Sequence, residues 1–233
     1  MRILVTRPEP DAAPTASSLR AAGHEVSVDS LLAIEPVAFD PPRGDYAALA
    51  ATSANAARAV SANPSIAKLK SLPFFALGVH TANAARLAGF IQIEIAGGDA
   101  QALGELLVRR LPAGARVLYL AGERRARDLA AMTTPANIAI ETLVVYRAKA
   151  AERFNETTAE QLRAGAFDAV LHFSPRSAET FVTLARQARL ESVFTSLRHL
   201  CLSDATAAAL PPGAKVEIAP RPEEEALLAL LGS

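Results

Sequence analysis

The stretches Ala47–Val60, AALAATSANAARAV, and Asp168–Val182, DAVLHFSPRSAETFV, decide the fold. Each opens on a short apolar run, turns at a serine and continues into a helical pattern. A strand feeding a helix start reads this way, with Ser53 and Ser174 in N-cap position and Pro175 at the first helical position. The two serines lie 174 − 53 = 121 residues apart. A second pair repeats at similar spacing. LGVHTANAARLAG from Leu77 and LSDATAAALPPG from Leu202 set Thr81 against Thr206, 206 − 81 = 125 residues on. Two echoes at nearly one period point to two related halves.

Working outward, strands are expected at Ile3–Thr6, Glu25–Val28, Ala47–Ala51, Phe74–Leu77, Gln92–Ile95, Arg116–Leu120, Ile138–Tyr146, Asp168–Phe173, His199–Leu202 and Lys215–Ile218. They alternate with Ala/Leu helical patterns from end to end, which predicts an α/β protein with parallel sheets covered by helices on both faces. Ten short strands overfill one small sheet and fit two sheets of about five. The longest run, ETLVVYRA around Val145, lies between the halves and leads into the charged stretch AKAAERFNETTAE. It reads as a crossing between domains. LLAIEPVAF (Leu31–Phe39) is the apolar, Pro-interrupted run placed to pair with it.

Composition excludes several function classes. The chain has 233 residues, 24 Lys+Arg against 24 Asp+Glu, and a pI near 6.9. It therefore lacks the large positive field that nucleic acid or an anionic membrane surface demands. Cys201 is the single cysteine, so there is no disulfide framework, and His24, His80, His172 and His199 show no metal-ligand spacing. The start MRILVTRPEP lacks the apolar stretch of a signal peptide, and no run approaches about 18 apolar residues. A soluble cytoplasmic protein with no membrane span is expected. Abundant alanine makes the mean hydropathy of +0.20 overstate the core. Of the 24 basic residues 20 are Arg, a ratio that coding bias accounts for in bulk, so function is sought only at particular arginines.

In open α/β sheets ligands bind beyond the carboxyl ends of the strands, where backbone N–H groups point outward from helix starts. Six turns have suitable residues: Thr6-Arg7-Pro8, Thr52-Ser53-Ala54-Asn55, Gly78-Val79-His80-Thr81, Gly122-Glu123-Arg124, Ser174-Pro175-Arg176-Ser177 and Ser203-Asp204-Ala205-Thr206. Any one serine or threonine reads as a plain helix cap. Together, facing one another across a cleft, the six offer N–H donors, hydroxyls and Arg side chains to a large polyanion. Gly97-Gly98 reads as a turn with Asp99 capping the next helix. Arg124, Arg125 and Arg127 read either as an anion patch or as a solvated helix face. There is no G-x-G-x-x-G after a strand, no P-loop and no Ser/His/Asp constellation. Tyr146 ends the long strand at the domain crossing, where its ring either packs between domains or presents a hydroxyl donor. His172 and Cys201 read as core residues.

The ordered series VTRP (Val5–Pro8), TSANA (Thr52–Ala56), LGVHTANA (Leu77–Ala84), LAGE (Leu120–Glu123), VYRA (Val145–Ala148), FSPRSA (Phe173–Ala178), DATAAAL (Asp204–Leu210) and PEEEALLALL (Pro222–Leu231) resembles uroporphyrinogen-III synthase over nearly the whole chain. The resemblance implies two flavodoxin-like, doubly wound parallel-sheet domains joined by a two-stranded linker. Domain 1 is then discontinuous, residues 1–33 plus 149–233. Residues 36–144 form an inserted domain 2, with linkers near 34–36 and 144–149.

It also implies an activity. The family cyclises the linear tetrapyrrole hydroxymethylbilane to uroporphyrinogen III with inversion of ring D and loss of water, through an azafulvene and a spiro intermediate, with no cofactor and no metal. The substrate carries eight carboxylates, so local N–H groups and selected arginines suit it even in a chain of zero net charge. By motif, Tyr146 takes the place of the donor to the leaving hydroxyl. Thr81 and Thr206 match the paired threonines of the GxxTA turns, Arg198 matches a basic position ahead of the second, and Ser53 and Ser174 bind carboxylates. With Arg7, Asn55, Gly78, Gly122 and Arg176 from the neighbouring turns, these make the expected substrate-binding set. Four positions depart from the pattern: Ser203 for Gly, Phe173 for Thr, Ala121 for Arg, and Glu223 for a Thr or Ser cap. A monomer is expected, meeting the enzyme that makes its substrate only transiently. The rival reading is a non-catalytic two-domain protein that closes on a small anionic ligand.

Overall fold

The computed structural model describes residues 1–97, 99–123 and 129–232. In chain order the strands are β1 (Arg2–Val5), β2 (Glu25–Val28), β3 (Leu32–Pro36), β4 (Ala48–Ala51), β5 (Phe74–Ala76), β6 (Ile93–Ile95), β7 (Arg116–Gly122), β8 (Ala139–Ala150), β9 (Ala169–His172), β10 (Arg198–Cys201) and β11 (Lys215–Ile218). The helices are α1 (Ala12–Ala21), α2 (Ala54–Val60), α3 (Val79–Leu87), α4 (Ala100–Arg110), α5 (Leu129–Thr133), α6 (Glu156–Arg163), α7 (Pro175–Gln187), α8 (Val193–Ser196), α9 (Asp204–Ala207) and α10 (Glu224–Ala229). Two compact units result: Met1–Ala33 with Lys149–Ser233, and Ile34–Ala148.

The first unit holds a five-stranded sheet in the order β11-β10-β9-β1-β2, parallel throughout. Counted along the unit's own chain this is 2-1-3-4-5, the flavodoxin-like doubly wound order. Its central strands are apolar without alternation because both faces are covered. On one face Leu4, Val170 and Cys201 pack with Phe181, Leu184, Val193 and Phe194 of α7 and α8. On the other, Ile3, Val5, Leu171 and Leu200 meet Leu19 of α1 and Leu227 of α10.

The second unit holds the order β3-β8-β7-β4-β5-β6. Leu49, Phe74, Leu118 and Leu120 face Ala56, Val60 and Ala85 of α2 and α3, while Ala50, Phe75, Val117 and Tyr119 face Leu103 and Leu107 of α4. In chain order the five parallel strands β4 to β8 read 3-2-1-4-5; counted from β7 they read 2-1-3-4-5. The unit is thus a circular permutation of the first. On that count β4 corresponds to β9 and β5 to β10, the pairs that carry the sequence echoes. Registers agree as well: Arg2 pairs with Glu25, 25 − 2 = 23 residues on, and Arg116 with Ala139, 139 − 116 = 23. At the sheet's edge β3 runs antiparallel to β8, since Val37 N donates to Val145 O (3.0 Å) and Ala151 N to Leu31 O (2.9 Å). β8 therefore extends to Ala150, four residues past the expected Tyr146.

Candidate active site

Topology decides which turns meet. In a doubly wound sheet the crevice opens where the strand order reverses, at the carboxyl ends. In the second unit that point lies between β4 and β7, so the turn carrying Ser53 and Asn55 stands beside Gly122, with Gly78 and Thr81 one strand away. Ser53 Oγ accepts from Asn55 N (3.2 Å), and Asn55 Oδ1 accepts from Arg58 Nη1 (3.0 Å). Both side chains thus fasten the start of α2. Thr52 Oγ1 and Tyr119 Oη lie 2.8 Å apart at the same strand end, an arrangement that no sequence motif announced.

The start of α3 differs. Gly78 is its N-cap and supplies no capping oxygen, whereas Ser53, Asp99, Asn155, Ser174 and Ser203 each accept a backbone N–H at their own helices. A Cβ on Gly78 would meet nothing within 4 Å, and Val79 beside it is 63% exposed. The first turn of α3 therefore begins without a side-chain cap, with open space beside Gly78. Thr81, two residues further, is buried.

Tyr146 stands where β8 meets the last residue of β7. Its partly buried ring packs against the α2/α3 face and lies directly over Gly122. Its hydroxyl has no hydrogen-bond partner among the described residues.

In the first unit the order reverses between β1 and β9, bringing the Thr6-Arg7 turn beside Ser174. Ser174 Oγ accepts from Ser177 N (3.2 Å) and caps α7; Arg176, half-buried in the first turn, has no ion-pair partner among the described residues. Thr206 is buried, its N–H donating to Ser203 Oγ at 3.3 Å with the two hydroxyls 3.1 Å apart. Ser203, a departure from the family's glycine, thus caps α9.

Two expected arginines sit differently. Arg7 is a buried internal tie: Nη1 donates to Thr15 Oγ1 (3.0 Å) and Glu224 Oε2 (2.7 Å), Nη2 lies 3.6 Å from Asp11, and the guanidinium stacks 4.2 Å from the Phe173 ring centroid. Phe173, where the family pattern has Thr, supplies that platform. Arg198 opens β10, at the amino end of the sheet, about 10 Å of strand from the carboxyl ends. There it is bonded to both oxygens of Glu217 (2.6 and 2.8 Å) and to Leu230 O (2.9 Å). Arg198 thus stands at the opposite end of the sheet from the turns that carry Ser174 and Thr206. Arg124, Arg125 and Arg127 lie outside the described residues.

Burial separates the other reactive side chains from chemistry. It pushes the Cys201 thiol up to about 12, in keeping with a core residue. Among the described residues no cluster of three His, Cys, Asp or Glu is placed to hold a metal ion, and no helix is long and apolar enough to cross a membrane.

The family model for the uroporphyrinogen-III synthase HemD matches residues 13–229. The chain belongs to the uroporphyrinogen-III synthase family. With that family goes a cyclising lyase activity, the formation of uroporphyrinogen III in haem biosynthesis, and the rival binding-protein reading gains no support. The fold agrees with solved uroporphyrinogen-III synthases. One, from Helicobacter pylori, is 20% identical with a TM-score of 0.69, covering 99% of this chain and 98% of that one. A mutant of the enzyme from the extremely thermophilic bacterium Thermus thermophilus is 19% identical with a TM-score of 0.56, covering 100% and 98%. No curated protein sequence is a significant match.

Proposed function

We propose that this chain forms uroporphyrinogen III with Tyr146 as the donor to the leaving hydroxyl. Within each unit one helix start suits a carboxylate: that of α3 in the second, and that of α7 with Arg176 in the first. The observation that carries the reading is the Tyr146 hydroxyl, which no described side chain engages, at the carboxyl end of β7. As the C–O bond of the hydroxymethyl group breaks, the phenol passes its proton to the departing oxygen, which leaves as water. The azafulvene that remains is attacked by the substituted carbon of ring D, giving the spiro intermediate; that carbon's older bond, to the bridge from ring C, then breaks and re-forms at the unsubstituted α-carbon of ring D. Later rearomatisation releases one proton, which restores the phenol, so the cycle is balanced with water as the only by-product.

Everything else is positioning. Unassisted closure gives the uninverted isomer, so the protein's contribution is to hold the chain of rings in the geometry that favours inversion. Carboxylates suit the amino ends of helices because unpaired N–H groups and the helix dipole both favour negative charge there. Ser53, Asn55 and Thr206 shape the adjoining turns. The chain is read as a cytoplasmic monomer, and the unassisted closure of free hydroxymethylbilane favours its uptake through transient contact with the enzyme that makes it.

Tyr146→Phe tests the proposal. With freshly made hydroxymethylbilane its kcat falls about 10²-fold, the usual contribution of a positioned proton donor, while thermal stability stays within a few degrees of the parent. Unchanged kcat would assign Tyr146 to packing alone.

A further inference from the structure

The approach of Tyr146 to Gly122 depends on an irregularity in the ladder. From Arg116↔Ala139 to Ala121↔Val144 the β7–β8 pairing advances one residue at a time; then Gly122 pairs with Tyr146, leaving Val145 as the extra residue of a bulge. In a regular strand successive side chains point to opposite faces. Leu143 and Val145 point into the α2/α3 core, so an unbroken β8 would send Tyr146 to the α4 face. Instead its ring packs against the same cluster as Leu143 and Val145. The bulge has turned it, as bulges do when they re-aim a side chain.

Gly122 completes the arrangement. On β7, Leu118 and Leu120 face the same α2/α3 core, so a side chain at position 122 would point there too. A Cβ would lie 2.7 Å from Tyr146 Cζ, 3.0 Å from Oη and 3.1 Å from Cε2. All three atoms belong to the hydroxyl end of the ring. The backbone beside them is tied down, with Glu123 N donating to Tyr146 O at 3.0 Å. An added methyl group therefore displaces the phenol tip by rotating the ring, leaving the strand pairing in place.

We infer that Gly122 is a positioning residue: its missing side chain and the adjacent bulge aim the Tyr146 hydroxyl, and Gly122 influences the reaction through that hydroxyl alone. The inference rests on the reading of Tyr146 as proton donor. It differs from a substrate-binding role for Gly122, which would show in KM.

A double-mutant cycle tests it. Gly122→Ala lowers kcat about tenfold with KM changed less than twofold; in the Tyr146→Phe background the same change alters kcat less than twofold, because no hydroxyl remains to be misplaced. The chain has three tyrosines, so 3-fluorotyrosine labelling gives three ¹⁹F resonances, with Tyr146 identified by its loss in Tyr146→Phe. Gly122→Ala shifts that resonance most. Unchanged kcat in Gly122→Ala, additive losses in the double variant, or a rise confined to KM would overturn the inference. So would a collapse of folding in Gly122→Ala that Tyr146→Ala fails to relieve. Retained kcat in Tyr146→Phe would instead sink the donor reading, so the two failures are distinguishable.

Discussion

His172 and His199 stack in the core of the first unit with their rings 7° from parallel, Nε2 of His172 lying 3.0 Å from Nδ1 of His199. His199 Nε2 lies 3.2 Å from Val193 O and donates to it, so its Nδ1 accepts from His172. That chain leaves His172 Nδ1 as a buried acceptor without a partner among the described residues. Phe181 closes over both rings edge-on. The pair is satisfied, apart from one nitrogen, only while both rings are neutral.

Acid should therefore loosen this unit before any carboxylate titrates out. Burial holds His172 well below 6.5 and lowers His199 from 6.5 to about 4. Above pH 6.5 neither state takes a proton and the pair adds no pH dependence. Between 6.5 and about 4 the unfolded chain binds protons that the folded chain refuses, so stability falls as pH falls. His199 alone accounts for about 3 kcal/mol over that window. Urea unfolding from pH 7 to 4 measures the slope. Replacing both rings, His172→Leu with His199→Leu, should flatten it; an equally steep slope in the double variant would refute the assignment.

Arg7 should prove to be a structural tie. Its removal leaves Glu224, Thr15 and the Phe173 face without the group that joins them, which predicts a loss of about 2 kcal/mol for Arg7→Ala in denaturant unfolding. Arg7→Lys keeps a charge but loses the planar fork and the stacking, and should recover less than half of that. If Arg7→Ala were as stable as the parent and raised KM instead, the arginine would belong to the substrate.

How much of this was legible in the sequence depends on the kind of information each feature needs. The strands and helix starts follow from local pattern: β2 and β11 have the expected limits, and Asp99 caps α4 as its turn predicts. The last residues of β8 carry Arg147, Lys149 and small residues, so nothing local marks them as strand; pairing with β3 makes them one. Gly122 is conspicuous only through register, because its meaning lies in a bulge that shifts Tyr146 onto another face. Arg198 opens the strand that Thr206 follows, so a parallel sheet already sets them at opposite ends, whatever the motif order suggests.

Arg198 consequently yields a prediction that separates position from resemblance. Its bonds to Glu217 and Leu230 O are half-exposed ties at the amino end of the sheet, and such pairs contribute about 1 kcal/mol. Arg198→Ala should unfold at correspondingly lower urea concentration with kcat/KM unchanged. A tenfold loss of kcat/KM in a folded variant would place Arg198 back among the groups that sense substrate.

Gly78 offers the sharpest probe of carboxylate binding, because fold and ligand make opposite demands on it. Its φ of −149° is extended backbone open to any residue, and a side chain there has free space, so the fold does not require glycine. Gly78→Asp supplies the capping oxygen that α3 lacks, which should leave stability unchanged or raise it by a few tenths of a kcal/mol. The same carboxylate occupies the N–H groups offered to substrate and repels an incoming anion, so KM for hydroxymethylbilane should rise about tenfold, or about 1.4 kcal/mol. Gly78→Ala, which adds bulk without charge, should raise it less. Melting curves and steady-state kinetics on the two variants decide the matter: equal KM in Gly78→Asp and the parent would mean that the open turn of α3 meets no carboxylate.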